Sequence, residues 1–149
     1  MGRVSNSEFP DLQRFVAAQD SGGTYATALG ELRRGQKRSH WMWFVFPQIA
    51  GLGQSPTAVH YGVHGLDEAR AYLAHPILRT RLVECSDTLA GLDSSDPVEV
   101  LGGIDAVKLR SSMTLFSRAA DDEETRRHFT DVLDRYFGGE EDPATLARI

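Results

Sequence analysis

Lys37-Arg38-Ser39-His40-Trp41-Met42-Trp43-Phe44-Val45-Phe46-Pro47-Gln48 holds both tryptophans of the chain and two of its seven phenylalanines. Trp41 to Phe46 is apolar all round, so periodicity alone does not separate a buried helix from a buried strand. The choice matters, because a strand here would make the chain a mixed fold. Ser39 as a cap and Pro47 as a stop favour one short helix.

The flanking sequence is punctuated as helices. Ser55-Pro56, His75-Pro76, Asp96-Pro97 and Asp142-Pro143 each place a proline after a boundary residue. Proline suits the first helical position, where its missing N–H has no partner to lose. Ser and Asp before it can accept a free amide of the first turn, and His75 is a poorer cap. Between these marks the apolar spacing is close to 3.6. It runs through Leu12, Phe15, Val16 and Gln19, and through Tyr25, Ala28, Leu29 and Leu32 up to Gly35. It continues through Leu66, Ala69, Tyr72 and Leu73, then Leu78, Leu82, Cys85, Leu89 and Leu92. A last stripe, Phe129, Val132, Leu133, Tyr136 and Phe137, is closed by Gly138-Gly139. No segment alternates as a hairpin would. Residues 49 to 66 carry four glycines and a proline and predict a long loop with one helical turn after Pro56. The expected fold is all-α, one domain over residues 1–149, with about seven to nine orthogonally packed helices.

Composition narrows the function. Of 149 residues, 41% are hydrophobic and 25% charged, as in ordinary globular proteins. A net charge of −5 argues against a general nucleic-acid binder, although one basic pocket for a phosphorylated small molecule is compatible with it. Cys85 is the only cysteine, so neither an intramolecular disulfide nor a cysteine-rich zinc site can form. Its place in a leucine stripe reads as core. The N-terminus lacks the apolar stretch of a secretory signal, and Trp41 to Phe46 is far too short to cross a bilayer. These features predict a cytoplasmic protein without a membrane span.

The helix expected from about Ile104 to Ala120 carries the most suggestive chemistry. At about 100° per residue, Arg110, Thr114 and Ser117 share a polar side. Ile104, Leu109, Met113, Leu115 and Phe116 cover most of the rest. Asp105, Lys108 and Ser112 then form one polar strip on a surface otherwise expected to be buried. A desolvated lysine can act as a nucleophilic amine, with Asp105 moving protons. The same strip also suits a structural ion pair or a lysine reaching for solvent. Arg33, Arg34, Lys37, Arg38 and His40 put five potential cations in eight residues. They suit a phosphate-binding lip, or equally a solvated helix end. Trp41 and Trp43 can stack on a ring or fill the core. His60 and His64 are four apart, but Gly62 interrupts them and no third ligand is evident, so no metal and no cofactor is expected. The glycines match no phosphate-loop or dinucleotide fingerprint, and no hydrolase elbow surrounds Ser111-Ser112. Asp121-Asp122-Glu123-Glu124 reads as a solvated turn and helix start.

The Lys37–Gln48 stretch resembles a family of small bacterial proteins of unknown function, sometimes mislabelled calpastatin. The likeness continues in Gly51-Leu52-Gly53, Tyr61-Gly62, Leu66-Asp67-Glu68-Ala69-Arg70-Ala71-Tyr72-Leu73 and His75-Pro76. It resumes in Lys108-Leu109, Ser111-Ser112-Met113-Thr114-Leu115-Phe116 and Tyr136-Phe137-Gly138-Gly139. That resemblance implies a single, largely helical domain and no established activity. Arg79 stands where the family usually has glycine. Val107-Lys108, Met113 and Phe129 to Leu133 distantly resemble the NADAR N-glycosidases, whose lysine attacks the anomeric carbon of ribose; the order of the N-terminal motifs differs. The expectation is a protein that binds a nucleotide- or ADP-ribose-like ligand and hydrolyses an N-glycosidic bond. Lys108 and Asp105 would be catalytic, and Lys37, Arg38, His40, Trp41, Trp43, Arg110 and Ser112 would line the ligand. The alternative is a non-enzymatic interaction module with a structural aromatic core and a partner on the loop from Ile49 to Leu66.

Overall fold

A computed structural model describes residues 10–149. Ten α-helical segments follow one another: α1 (Gln13–Asp20), α2 (Thr24–Arg33), α3 (Met42–Val45), α4 (Pro56–His60) and α5 (Gly65–Ala74). Then come α6 (Pro76–Ala90), α7 (Pro97–Leu101), α8 (Gly103–Ala119), α9 (Glu123–Phe137) and α10 (Pro143–Leu146). Two of these, α3 and α10, are single turns of four residues. The described residues contain no strand, so the fold is all-α.

Local chemistry explains the boundaries. Prolines 56, 76, 97 and 143 each open a helix, as their missing amide allows. Ser55, Asp96 and Asp142 accept first-turn amides through their side chains. His75 also caps, but its Nδ1 accepts the Leu78 amide only at 3.4 Å. Asp122 caps α9 and Glu123 and Glu124 fill its first turn, where negative charge complements the helix dipole. Gly138 closes α9 at φ 62°, a left-handed conformation that glycine adopts without strain.

Helix α8 is the central element. It packs against α5, α7, α9 and α10, and α6 lies against α2, α5 and α9. Residues Ser111 to Ser117 are buried on every side, as a helix enclosed by others must be. An aromatic chain crosses this core. Phe15 of α1 meets Tyr72 of α5 edge-on at 5.2 Å. Tyr72 meets Phe116 of α8 at 5.0 Å, and Phe116 meets Phe129 of α9 at 6.1 Å. Each such pair adds about 0.5–1.5 kcal/mol beyond the area it buries. Against the expectation of a buried arc, Ile104 is 78% exposed: it lies with exposed Val107 on the outward side of a first turn whose other side buries Ala106.

Trp41 to Phe46 forms the single turn α3, flush against α1. Ser39 is not its cap. Trp41 occupies that position without a side-chain bond, because the Ser39 hydroxyl is committed to Glu31 at 2.6 Å. The loop after α3 carries the expected helical turn as α4 and is tied off by two bonds. The Ala50 amide donates to the Val63 carbonyl at 2.8 Å, and the Val63 amide to the Gln48 carbonyl at 2.9 Å. Gly62 lies between these strands of loop with no room to spare. A Cβ there would lie 2.9 Å from the Ala50 Cα. Gly62→Ala is therefore expected to destabilise the protein by about 1–3 kcal/mol, because backbone rather than a side-chain tip must shift. Urea unfolding would report this as a lower midpoint with an unchanged slope.

Candidate functional site

The segment between α2 and α3 is organised by one buried carboxylate. Glu31, on α2, accepts the amides of Arg38 and Ser39 at 2.8 and 3.0 Å. It also accepts the Ser39 hydroxyl at 2.6 Å and the Trp41 indole N–H at 2.9 Å. Burial alone would push this carboxyl up. The four donors outweigh it and bring it from 4.5 down to about 2.

This nest fixes Lys37, whose side chain is only 8% exposed. Its amide donates to Val100 of α7 at 2.7 Å. Its ammonium bonds the Ser39 carbonyl, pairs with Asp105 at 2.9 Å and lies 5.0 Å from the Trp41 ring centre. Asp105, in the first turn of α8, also meets Lys108 at 3.6 Å. Lys108 is 19% exposed and covers the Trp43 ring at 4.6 Å. Two ammoniums thus share one carboxylate, and each lies over a different tryptophan. The polar strip read from the helix projection brings Asp105 and Lys108 together. Lys37 joins them from the segment between α2 and α3.

The two tryptophans divide their roles. Trp41 is fully buried and forms part of the core, so it offers no face to a ligand. Trp43, two residues on, lines an open cleft of about 450 Å³ together with His40, Phe44, Pro56, Thr57, His60 and Tyr61. That volume lies within the roughly 300–1,000 Å³ range of small-molecule sites. One wall comes from the turn before α3 and from α3 itself, the other from α4 and Tyr61. Phe44 and Tyr61 meet at 5.3 Å between the walls.

The second wall is held from behind by Arg14 of α1. Its guanidinium donates to the His60 and Gly62 carbonyls, both at 2.8 Å, and pairs with Glu68 of α5 at 3.2 Å. Glu68 in turn accepts the His64 amide at 2.7 Å. Both charged side chains are almost completely buried. Neither residue carries a sequence signature, since 54 positions separate them.

The remaining expected ligand residues fall elsewhere. Arg38 is exposed, with Gln36 as its side-chain partner at 3.0 Å. Arg110 is tied to the C-terminal segment. It donates to the Glu140 and Glu141 carbonyls at 2.9 and 2.8 Å, so it does not face Lys108 or the cleft. Ser112 is fully buried in α8, and its hydroxyl has no partner among the described residues. It therefore cannot line an open site. His60 and His64 belong to different helices, the end of α4 and the cap of α5. His60 contributes to the cleft wall rather than to a metal pair. The sequence signal it offered was aromatic company, Tyr61 at 4.6 Å, rather than a spacing of four.

No curated protein matches the chain. A crystal structure of the conserved hypothetical protein Rv1873 from Mycobacterium tuberculosis superposes with a TM-score of 0.86 at 48% identity, covering 92% of this chain and 94% of that one. The family described as "Protein of unknown function (DUF1810)" matches residues 9–149. With nearly its whole length matched, the chain belongs to that family of unknown function.

Proposed function

We propose that this protein binds a nucleotide-like small molecule in the cleft between α3 and α4, with a flat ring laid against Trp43, Phe44 and Tyr61. The observation that carries the reading is the cleft itself: about 450 Å³, with five of its seven lining residues aromatic or imidazole, Trp43 and Phe44 on α3, His60 on α4, His40 before α3 and Tyr61 after α4. Aromatic faces recognise any planar ring through stacking, worth about 1–3 kcal/mol per base. The half-buried Lys37–Asp105–Lys108 cluster supports the shelf, since Lys108 covers one face of Trp43.

The reading is of binding, without Lys108 as nucleophile. Attack on an anomeric carbon needs an amine lone pair. The Nζ of Lys108 instead touches a carboxylate and the face of an indole, both of which hold a cation. Lys108 acts here by positioning Trp43, and Asp105 by holding Lys37 and Lys108 in place.

Tryptophan fluorescence tests the proposal, because Trp41 is sealed and Trp43 borders the cleft. Titration with ADP-ribose, NAD and simple nucleotides is expected to change emission at micromolar to millimolar concentration. Trp43→Phe is expected to remove that response and leave the Trp41 emission. Calorimetry on Trp43→Ala is expected to show at least about fivefold weaker binding, the lower end of one stacked ring. No response from any of these compounds at millimolar concentration would refute the reading. Release of a free base from ADP-ribose or NAD, abolished in Lys108→Ala, would restore the lysine as a nucleophile.

A further inference from the structure

The cleft carries one imidazole on each wall. His40 stands on the turn before α3 and His60 closes α4. Both are exposed, and neither side chain has an ion-pair or hydrogen-bond partner among the described residues. Among the described residues no carboxylate lines the cleft. The acids nearest these walls are already engaged. Asp105 holds Lys37 and Lys108, Glu31 is saturated by four donors, and Glu68 holds Arg14 and the His64 amide. Asp11 is also turned toward Arg14, at 3.7 Å. The neighbouring cations are Arg38, two positions from His40 in the chain, Lys108 on Trp43, and Arg14 at the His60 carbonyl. Tyr61, edge-on to His60, is a further titratable neighbour among the described residues.

We infer that His40 and His60 set the charge selectivity of the cleft: it takes an anionic ring-bearing ligand, and its preference for the anion over the neutral ring grows as the two imidazoles take up protons. The inference rests on the ring-binding reading above and adds the ligand's charge and a dependence on pH. Neutral imidazoles leave an aromatic slot indifferent to charge. Protonated, they present two cations across a single opening with no carboxylate among its described lining residues. A diphosphate or carboxylate between the walls then meets charge from both sides.

The experiment compares two probes of fixed charge, ADP-ribose and adenosine, by calorimetry from about pH 8 to about pH 5.5. The ratio of their affinities is expected to rise about tenfold toward acid, a gain of the size that exposed ion pairs give when two act together. His40→Gln and His60→Gln are each expected to reduce the rise, and the double variant to abolish it, with the affinity for each probe read separately at every pH. Both side chains are exposed, so the variants keep their fold, which near-ultraviolet circular dichroism verifies. A ratio independent of pH, with both probes bound, overturns the charge selectivity and leaves ring binding standing. A rise that persists in the double variant also overturns it, by assigning the effect to other groups. Failure of both probes to bind at any pH removes the ring-binding reading and this inference with it.

Discussion

Arg14→Met is expected to cost the fold about 3–5 kcal/mol, the loss typical of removing one member of a buried charged pair. The guanidinium and the Glu68 carboxylate are 4% and 3% exposed. Arg14 donates to three carbonyls, those of Asp11, His60 and Gly62, as well as to the carboxylate. Methionine fills much of the volume but donates to none of them. Glu68 would then keep only the His64 amide, and two loop carbonyls would be orphaned beneath the surface. Each unsatisfied buried group adds about 1–3 kcal/mol. Urea unfolding at neutral pH measures the loss. A drop below about 1 kcal/mol would show that the pair is incidental.

The double variant Arg14→Met with Glu68→Met separates charge from scaffolding. Removing both charges is expected to recover a large part of the loss, because the orphaned carboxylate goes with its partner. It cannot recover the bonds to His60 and Gly62. The wall carrying His60 and Tyr61 should therefore remain loose even where global stability returns. Faster amide exchange from Tyr61 to Val63 in the double variant would show that Arg14 holds the cleft open as well as holding the fold together.

The sequence made the helices legible because helix ends are local. Proline at the first position, an acceptor before it and glycine after the last turn act within a few residues, so the starts at Pro56, Pro76, Pro97 and Pro143 could be read directly. The turn at Met42–Val45 followed from the same reasoning, but its cap did not. Ser39 would cap a free-standing helix. Here Glu31, eight residues back, offers its hydroxyl a charged acceptor, and the stronger bond wins. The projection of α8 correctly joined Asp105 to Lys108, since residues three apart share a face. It could not supply Lys37, which comes from a segment distant in sequence. It also placed Ile104 in a buried arc, because periodicity does not reveal which side of a first turn its neighbours cover. Trp41 and Trp43 differ by about 200° around one turn, so one must face in and the other out. Which is which depends on Glu31 drawing the Trp41 indole inward. Arg110 lies on the polar side expected of it, but the chain reverses after Gly138-Gly139 and brings the Glu140 and Glu141 carbonyls over it. The cleft pairs residues 40–44 with residues 56–61, and only the tertiary fold makes that pairing.

Glu31→Gln should have the second largest effect, with a distinctive dependence on pH. The folded carboxyl lies at about 2, below its ordinary 4.5, so the unfolded chain takes up the proton more readily than the folded one. The ionised group therefore contributes stability above about pH 4.5, and that contribution is lost as the pH falls toward about 2. A shift of this size corresponds to about 3 kcal/mol. Glutamine resembles the protonated acid. Its carbonyl can still accept the Arg38 and Ser39 amides and the Trp41 indole, and the Ser39 hydroxyl can turn to accept its amide. What it lacks is the charge. The variant is thus expected to be about 3 kcal/mol less stable than the native protein at neutral pH and nearly equal to it at about pH 2. Other carboxyls titrate over the same range in both proteins, so the informative quantity is the difference between their urea midpoints at each pH. Curves that run parallel from neutral to acid would mean that the four donors hold a shape rather than a charge. Convergence would identify Glu31 as the electrostatic anchor of the segment that carries Lys37, His40 and both tryptophans.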